Sequence, residues 1–294
     1  MSKGENQILF SPVAVLGPGL LGGSIAKAVR ERLPGCELRL WARRQEPLDL
    51  AQRLGIADRT YRDIQAAVQG AQLVILATPI GVFPRLVEGL LPALAAEALV
   101  TDVGSVKGAV HAEIGELLTR SGHCFIGSHP MAGAEKQGLE HARADLLQDA
   151  IVALTNPHGA PAERVEQLAR FWRTLGCRTC EMSPAEHDDA VARISHVPHI
   201  LAALCARQAG DVQLDILRLL ASTGFRDTTR VSSGGAAMWA DILWGNTPAI
   251  REALRSCMAD LQALDSLLEQ QNKAGLSAWL EQAKETREDI LQLR

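Results

Sequence analysis

The chain has 294 residues, 47% hydrophobic and 22% charged, enough for one large or two ordinary packed domains and unlike a disordered segment. Its formal net charge of -4, with no local run of Lys and Arg, gives no electrostatic footprint for nucleic acid. The most apolar stretch, Leu73 to Phe83, contains Pro79 and falls short of the ~20 residues of a membrane span; with no signal-peptide pattern and six scattered cysteines, a reduced cytoplasmic chain is expected.

Pro12 to Leu16 (PVAVL) is a short apolar run, followed at Gly17 to Gly22 by GPGLLG. Helical spacing then runs through LLGGSIAKAVRERL, and Cys36 to Trp41 (CELRLW) predicts a second strand. Strand, glycine turn, helix and strand within about thirty residues give a G-x-G-x-x-G match its meaning. Gly17 permits the tight turn, Gly19 lets the backbone approach a pyrophosphate, and Gly22 lets helix pack on strand. Leu20 and Leu21 open a helix whose unpaired N–H groups and positive dipole end suit phosphate. An NAD-binding chain usually ends its second strand with an acid for the ribose hydroxyls. Here that position is Ala42, and Arg43 and Arg44 follow it. The pattern favours NADP, with NAD the alternative if the arginines are merely solvated.

Further strands are predicted at Leu73 to Pro79 (LVILATP), Ala98 to Ser105 (ALVTDVGS), Cys124 to Pro130 (CFIGSHP) and Ala150 to Thr155 (AIVALT). Each is apolar through its length, as in strands covered on both faces. Helical segments alternate with the earlier ones, and Arg164 to Leu175 adds another. The predicted fold class is α/β, a doubly wound, mostly parallel Rossmann-type sheet. Ligands of such sheets sit beyond the carboxyl ends of the strands, where Thr78, Pro79, Ser105 and His129 all fall.

After about residue 182 no convincing strand remains. Ser183-Pro-Ala-Glu186 has the form of a capping box. Helical patterns run from about Pro184 to Ala209, Val212 to Ala221, Ala236 to Trp244, Pro248 to Gln270 and Leu276 to Leu293. Two domains are expected: 1–182, binding a dinucleotide, and 183–294, an all-helical substrate and dimerisation domain. In the latter, Ile250, Leu254, Met258, Leu261, Leu264 and Leu268 form a stripe at helical spacing, suited to core completed across a homodimer interface.

Three segments carry chemistry. Ile126 to Gly138 (IGSHPMAGAEKQG) sets a histidine, the side chain that passes protons near neutral pH, directly after an apolar run. Glu186 to His199 (EHDDAVARISHVPH) holds three histidines. His196 and His199 would share a helix face but for Pro198, and His187 lies about half a revolution away, so the three do not obviously converge. That spacing argues against a metal site, and a polar groove at the domain junction suits at least one of them better. Thr223 to Ile242 sets Arg226, Asp227 and Arg230 among small residues between helices, either as a surface loop or as an arginine fork for a substrate carboxylate.

In order along the chain, GPGLLGGS, TDVGSVKG, GSHPMAGAEKQG, SPAEHDDAVARISHVPH and GFRDTTR...MW resemble the prephenate/arogenate dehydrogenases of tyrosine biosynthesis, over roughly residues 12 to 245. The resemblance implies that His129 accepts the proton of the substrate ring hydroxyl while hydride passes to the nicotinamide and the ring carboxylate leaves as carbon dioxide. It implies that Ser105 hydrogen-bonds near the nicotinamide and that Arg230 grips a substrate carboxylate. His199 and Trp239 would line the pocket, Glu135 and Asp227 would form a polar gate, and His187 and His196 would order the junction. Ala134 and the run SSGGAAMW depart from the family pattern near the substrate end and leave prephenate and arogenate both open. A β-hydroxyacid dehydrogenase is the first rival, but that class uses a lysine of the helical domain, and none occurs between Lys136 and Lys273. The second, a catalytically silent NADP-binding sensor, would keep the glycine turn and lose the acid-base and carboxylate-binding residues.

Overall fold

The computed structural model describes residues 9–134, 136–210 and 214–292. Side chains of a strand leave alternately to its two faces, and here both faces are covered. Val13 and Val15 of β1 (Val13–Leu16) enter one buried cluster, Ala14 and Leu16 the other. β2 (Leu38–Trp41), β3 (Arg59–Tyr61), β4 (Leu73–Leu76), β5 (Leu99–Asp102) and β6 (Cys124–Phe125) complete a parallel sheet in the order β3-β2-β1-β4-β5-β6. The order reverses between β1 and β4, and the crevice at their carboxyl ends is where such sheets bind ligands. The apolar pattern does not announce β3, because its three residues are exposed or half-buried. Helices α1 (Leu20–Arg32), α2 (Glu46–Arg53), α3 (Ile64–Val68), α4 (Phe83–Leu90), α5 (Gly108–Val110) and α6 (Glu116–Arg120) connect these strands, a π-helical turn at His111–Gly115 joining the last two.

The expected strand CFIGSHP is two strands in two sheets. Ile126 N still donates to Val100 O at 3.1 Å, but Ser128 N turns to the Asp102 carboxylate at 3.2 Å, which ends the parallel ladder. The chain continues as β7 (Gly127–Pro130), antiparallel to β8 (Ile151–Thr155), with His129 opposite Ala153. β9 (Arg178–Glu181) then pairs with β8 in parallel, completing a three-stranded sheet. His129 therefore lies past the carboxyl end of β6, within a strand of the second sheet. α7 (Ala162–Thr174) buries Phe171 and Trp172 fully, and Trp172 Nε1 donates to Ser128 Oγ at 3.1 Å behind β7.

From Ser183 the described elements are helical. Ser183 accepts from Glu186 N at 3.2 Å and its own N–H donates to Glu186 Oε2 at 2.8 Å, the capping box expected from the sequence. α8 (Pro184–Val191) runs through a π-helical turn, Ala192–His196, into α9 (Val197–Gly210). Pro198 offers no N–H, and the turn before it widens, Val197 N bonding Ala192 O five residues back. The wider turn reduces the half-revolution that a regular helix would put between His187 and His196. α10 (Leu214–Leu220), α11 (Thr223–Thr229) and a 3-10 turn at Arg230–Ser233 precede α12 (Ala236–Gly245). Arg226 and Asp227 thus lie on a helix and not in the connecting loop; Ser222 precedes it in extended backbone and Arg226 N bonds Ser222 O at 3.1 Å.

Composition changes at Glu181–Ser183, whereas compactness changes later: Met1–Thr247 form one unit and Pro248–Arg294 another. The second consists of α13 (Thr247–Glu269) and α14 (Lys273–Gln292), joined by a turn in which Asn272 N bonds Leu267 O. In the apolar stripe of α13, Ile250 is buried, while Met258, Leu261 and Leu268 are exposed. No helix among the described residues is long and apolar enough to cross a membrane.

Candidate active site

The glycine turn does what its spacing implies. Gly17 has φ +107°, and a Cβ there would lie 2.8 Å from Ala77 O. A Cβ on Gly22 would lie 2.2 Å from Gly17 O, so α1 can approach the turn only without a side chain. Gly19 has open space around it and stands as the N-cap of α1 with no side chain capping the helix. The first N–H groups of a 13-residue helix are left for a ligand, and a helix N-terminus favours an anionic one. A cleft of about 940 Å³ opens there, lined by Gly17, Gly19, Arg43, Arg44, Thr78 and Pro79, with Arg53 and Arg85 also on its wall. Leu20, Leu21 and Gly22 form the start of α1 and do not line it. Thr78 Oγ1 is buried without a hydrogen-bond partner, a polar atom that a ligand in the cleft would satisfy. The residues present fit a dinucleotide.

Deeper in the same unit lies a chain of polar contacts. His129 Nδ1 is 2.8 Å from His187 Nε2, and His187 Nδ1 is 2.7 Å from Asp188 Oδ1. Asp188 also accepts Lys107 N and Gly108 N, each at 2.8 Å. Burial alone would raise the Asp188 pKa, but the bonds from His187 and the two amides outweigh it and hold the carboxyl below its usual range. His129 is driven well below the ordinary histidine value, first by burial and then by the neighbouring His187 and Lys107. Burial thus favours its neutral form. Asn246 Nδ2 donates to Asp188 O at 2.7 Å and lies 3.2 Å from His196 Nδ1, tying α12 to α8.

Beneath His129 sits a fully buried ion pair. Lys107 Nζ donates to Asp102 Oδ2 and, at 2.9 Å, to Ser128 O. Asp102 also accepts Gly104 N at 2.7 Å, and Ser128 Oγ lies 2.7 Å from Thr101 Oγ1. Removing one partner of such a pair strands a buried charge, at a cost of about 3–5 kcal/mol. The pair therefore fixes both backbone polar groups of Ser128, directly before His129.

His199 and Trp239, far apart in sequence, stack with centroids 3.5 Å apart. His196 meets the same indole edge-on at 6.2 Å. His187, His196 and His199 are all buried, and they contact one another's partners instead of a common centre. His199 is lowered by burial, opposed by a hydrogen bond to the Val231 backbone, and its Nδ1 has no partner. Val231, whose backbone meets His199, follows Arg230 in the 3-10 turn. Asp227 is exposed on α11, and neither its carboxylate nor the Ser105 hydroxyl makes a side-chain hydrogen bond among the described residues. Glu135 lies outside the described residues.

Against known proteins, the model of the prephenate dehydrogenase nucleotide-binding domain matches residues 25–181, and that of the prephenate dehydrogenase dimerization domain matches residues 183–282. The chain belongs to the prephenate dehydrogenase family. It is 32% identical to cyclohexadienyl dehydrogenase of Zymomonas mobilis over 97% of both chains. The structure of Aquifex aeolicus prephenate dehydrogenase with hydroxyphenyl propionate and NAD+ superposes with a TM-score of 0.88 at 28% identity, covering 95% of this chain and 98% of that one. Synechocystis arogenate dehydrogenase superposes at 0.81 with 31% identity, covering 95% and 99%.

In this chain the motif residues are legible in the sequence, and the residues that support them are less so. Lys107, Asp102, Asp188 and Asn246 were not singled out by sequence. Asp188 had a signal, an acid directly after His187, and Lys107 had one too, an isolated lysine in an otherwise apolar and small segment.

Proposed function

We propose that this prephenate dehydrogenase family member oxidatively decarboxylates prephenate, arogenate or both, giving 4-hydroxyphenylpyruvate or tyrosine, and prefers NADP. The buried, neutral imidazole of His129 carries the reading. It accepts the proton of the ring hydroxyl as the carbon bearing it is oxidised, and loss of carbon dioxide then aromatises the ring. Nicotinamide, when bound, supplies the acceptor for the electron pair. Arg230 holds a substrate carboxylate, His199 and Trp239 form the pocket wall, and Ser105, with its hydroxyl unengaged, orients near the nicotinamide. Glu135 and Asp227 serve as a polar gate. The dinucleotide-binding part ends at residue 182 and the substrate part begins at 183, a division supported by the end of β9 at Glu181.

NADP preference is supported by Ala42, buried at the end of β2 where a carboxylate would repel a phosphate, and by Arg43 and Arg44 on the cleft wall. A homodimer built through the helical part is supported by its exposed apolar side chains, Leu219 at 83% and Leu220 at 70% among them. The deciding assay follows reduced nicotinamide with prephenate, arogenate and a β-hydroxyacid offered in turn. Turnover of either cyclohexadienyl substrate, with carbon dioxide released, is expected. Turnover of the hydroxyacid alone, or cofactor binding with no turnover at all, would overturn the reading.

A further inference from the structure

Which nitrogen of His129 is basic is settled by what its other nitrogen touches. Asp188, its carboxyl held below the usual range, accepts backbone N–H groups with both oxygens, so toward His187 it is an acceptor as well. A neutral His187 then carries its proton on Nδ1, which leaves Nε2 a bare lone pair. That lone pair lies 2.8 Å from His129 Nδ1, and a hydrogen bond there requires the proton to be on His129. His129 Nε2 is left without a proton.

We infer that His187 and Asp188 are positioning residues that hold His129 in the one tautomer able to accept a proton through Nε2. The inference rests on the reading of His129 as the proton acceptor. When Nε2 takes the hydroxyl proton, His129 becomes an imidazolium whose Nδ1–H points at His187. The Nδ1 proton can pass to His187 Nε2, moving the positive charge onto the ring that faces the Asp188 carboxylate at 2.7 Å. One proton enters at His129 and none is lost, so the chain balances. The reverse polarity, His187 donating from Nε2, would leave His129 with a proton on Nε2 and nothing to accept with. In a neutral His187 it would also leave Nδ1 unprotonated against a carboxylate, lone pair against lone pair.

Substitutions at position 187 test this. Gln places its terminal amide near the original Nε2, where its oxygen can accept from His129 Nδ1–H, whereas Leu of similar bulk cannot. His187→Leu is expected to lower kcat by about 10²–10³-fold with little change in the KM for the nicotinamide cofactor, on the scale of a lost general base. His187→Gln is expected to recover at least tenfold of that loss. Nitrogen-15 spectra of ring-labelled wild type are expected to show His129 Nε2 unprotonated and Nδ1 protonated, and His187→Leu to shift this toward the other tautomer. Wild type with His129 protonated on Nε2 would overturn the inference whether or not any variant folds. So would equal kcat in wild type and His187→Leu, or equal loss in Leu and Gln. If His129→Asn keeps wild-type turnover, the reading of His129 itself fails, which is a separate outcome.

Discussion

The imidazole of His199 lies nearly parallel to the indole of Trp239, at 12° with centroids 3.5 Å apart. The stack joins α9 to α12 across forty residues of sequence, and Gly234 is the residue that lets it close. A Cβ on Gly234 would lie 2.3 Å from Trp239 Nε1 and 3.6 Å from His199 Cε1. The indole is rigid and held on one face by His199, so it must tilt to admit a methyl group. Gly234→Ala is expected to raise the KM for the cyclohexadienyl substrate about tenfold while leaving the KM for the nicotinamide cofactor unchanged. Unchanged substrate KM would show that this wall does not meet the substrate.

His129→Asn removes Nε2 and keeps a donor close to the position of Nδ1, so the contact to His187 survives and the fold with it. Turnover is expected to fall by about 10²–10⁴-fold, the usual worth of a general base, with cofactor affinity intact. Fluorescence titration of the cofactor alongside steady-state rates separates the two effects. A variant that turns over like wild type would exclude His129 as the proton acceptor.

Acid sensitivity of folding follows from the buried histidines. Burial first of all, then the neighbouring Lys107 and His158, holds His111 down to about 3. Burial likewise holds His196 down to about 4, against an opposing pull from Asp188, and His129 lies well below its ordinary value. Each is neutral in the fold and takes up a proton on unfolding once pH drops below about 6.5, so the unfolded state binds more protons and stability falls with pH. The loss begins near the unfolded value and continues down toward the folded ones. Between pH 7 and 5.5, above the range of ordinary carboxylates, it is expected to amount to about 1 kcal/mol for each histidine. Urea unfolding at the two pH values measures it, and identical midpoints would contradict neutral burial.

The sequence made the frame and the motif residues legible because both have local signatures. The run PVAVL, the glycine turn and CELRLW predict β1, α1 and β2 by spacing alone. What it hid is non-local. That Ser128 N would leave the ladder for the Asp102 side chain, turning His129 into a second sheet, depends on Lys107 neutralising a buried carboxylate. The meeting of His129 with His187, 58 residues on, depends on α8 docking where Asp188 can cap two amides of another helix, and no periodicity encodes that. The three histidines from α8 to α9 meet no common centre, yet a π turn before Pro198 that helical spacing does not encode sets the angle between them. Exposure of Met258, Leu261 and Leu268 is likewise invisible to helical spacing, which cannot tell an apolar face that is covered from one that waits for cover.

Cofactor choice is the sharpest test of the nucleotide site. An acid at the end of β2 would accept the ribose hydroxyls of NAD and repel a 2′-phosphate. Position 42 is instead an alanine, 7% exposed, its N–H bonded to Tyr61 O at 3.3 Å, so the strand end is shaped but carries no charge. Arg43 and Arg44 follow on the cleft wall with Arg53 nearby, while Glu46 on the same wall begins α2 and does not occupy the strand end. Guanidinium groups there would bind the phosphate with charge-assisted hydrogen bonds, each worth about 1.5–3 kcal/mol, or roughly ten- to a hundredfold in affinity. Wild type is therefore expected to show a kcat/KM at least tenfold higher with NADP than with NAD. Ala42→Asp/Arg43→Ile removes one attraction and adds one repulsion, and is expected to reverse that order. Raising the salt concentration should narrow the wild-type preference, because the arginines are exposed and screened. Equal or better efficiency with NAD in wild type would sink the assignment, and so would a double variant that still prefers NADP, since the discrimination would then come from elsewhere in the cleft.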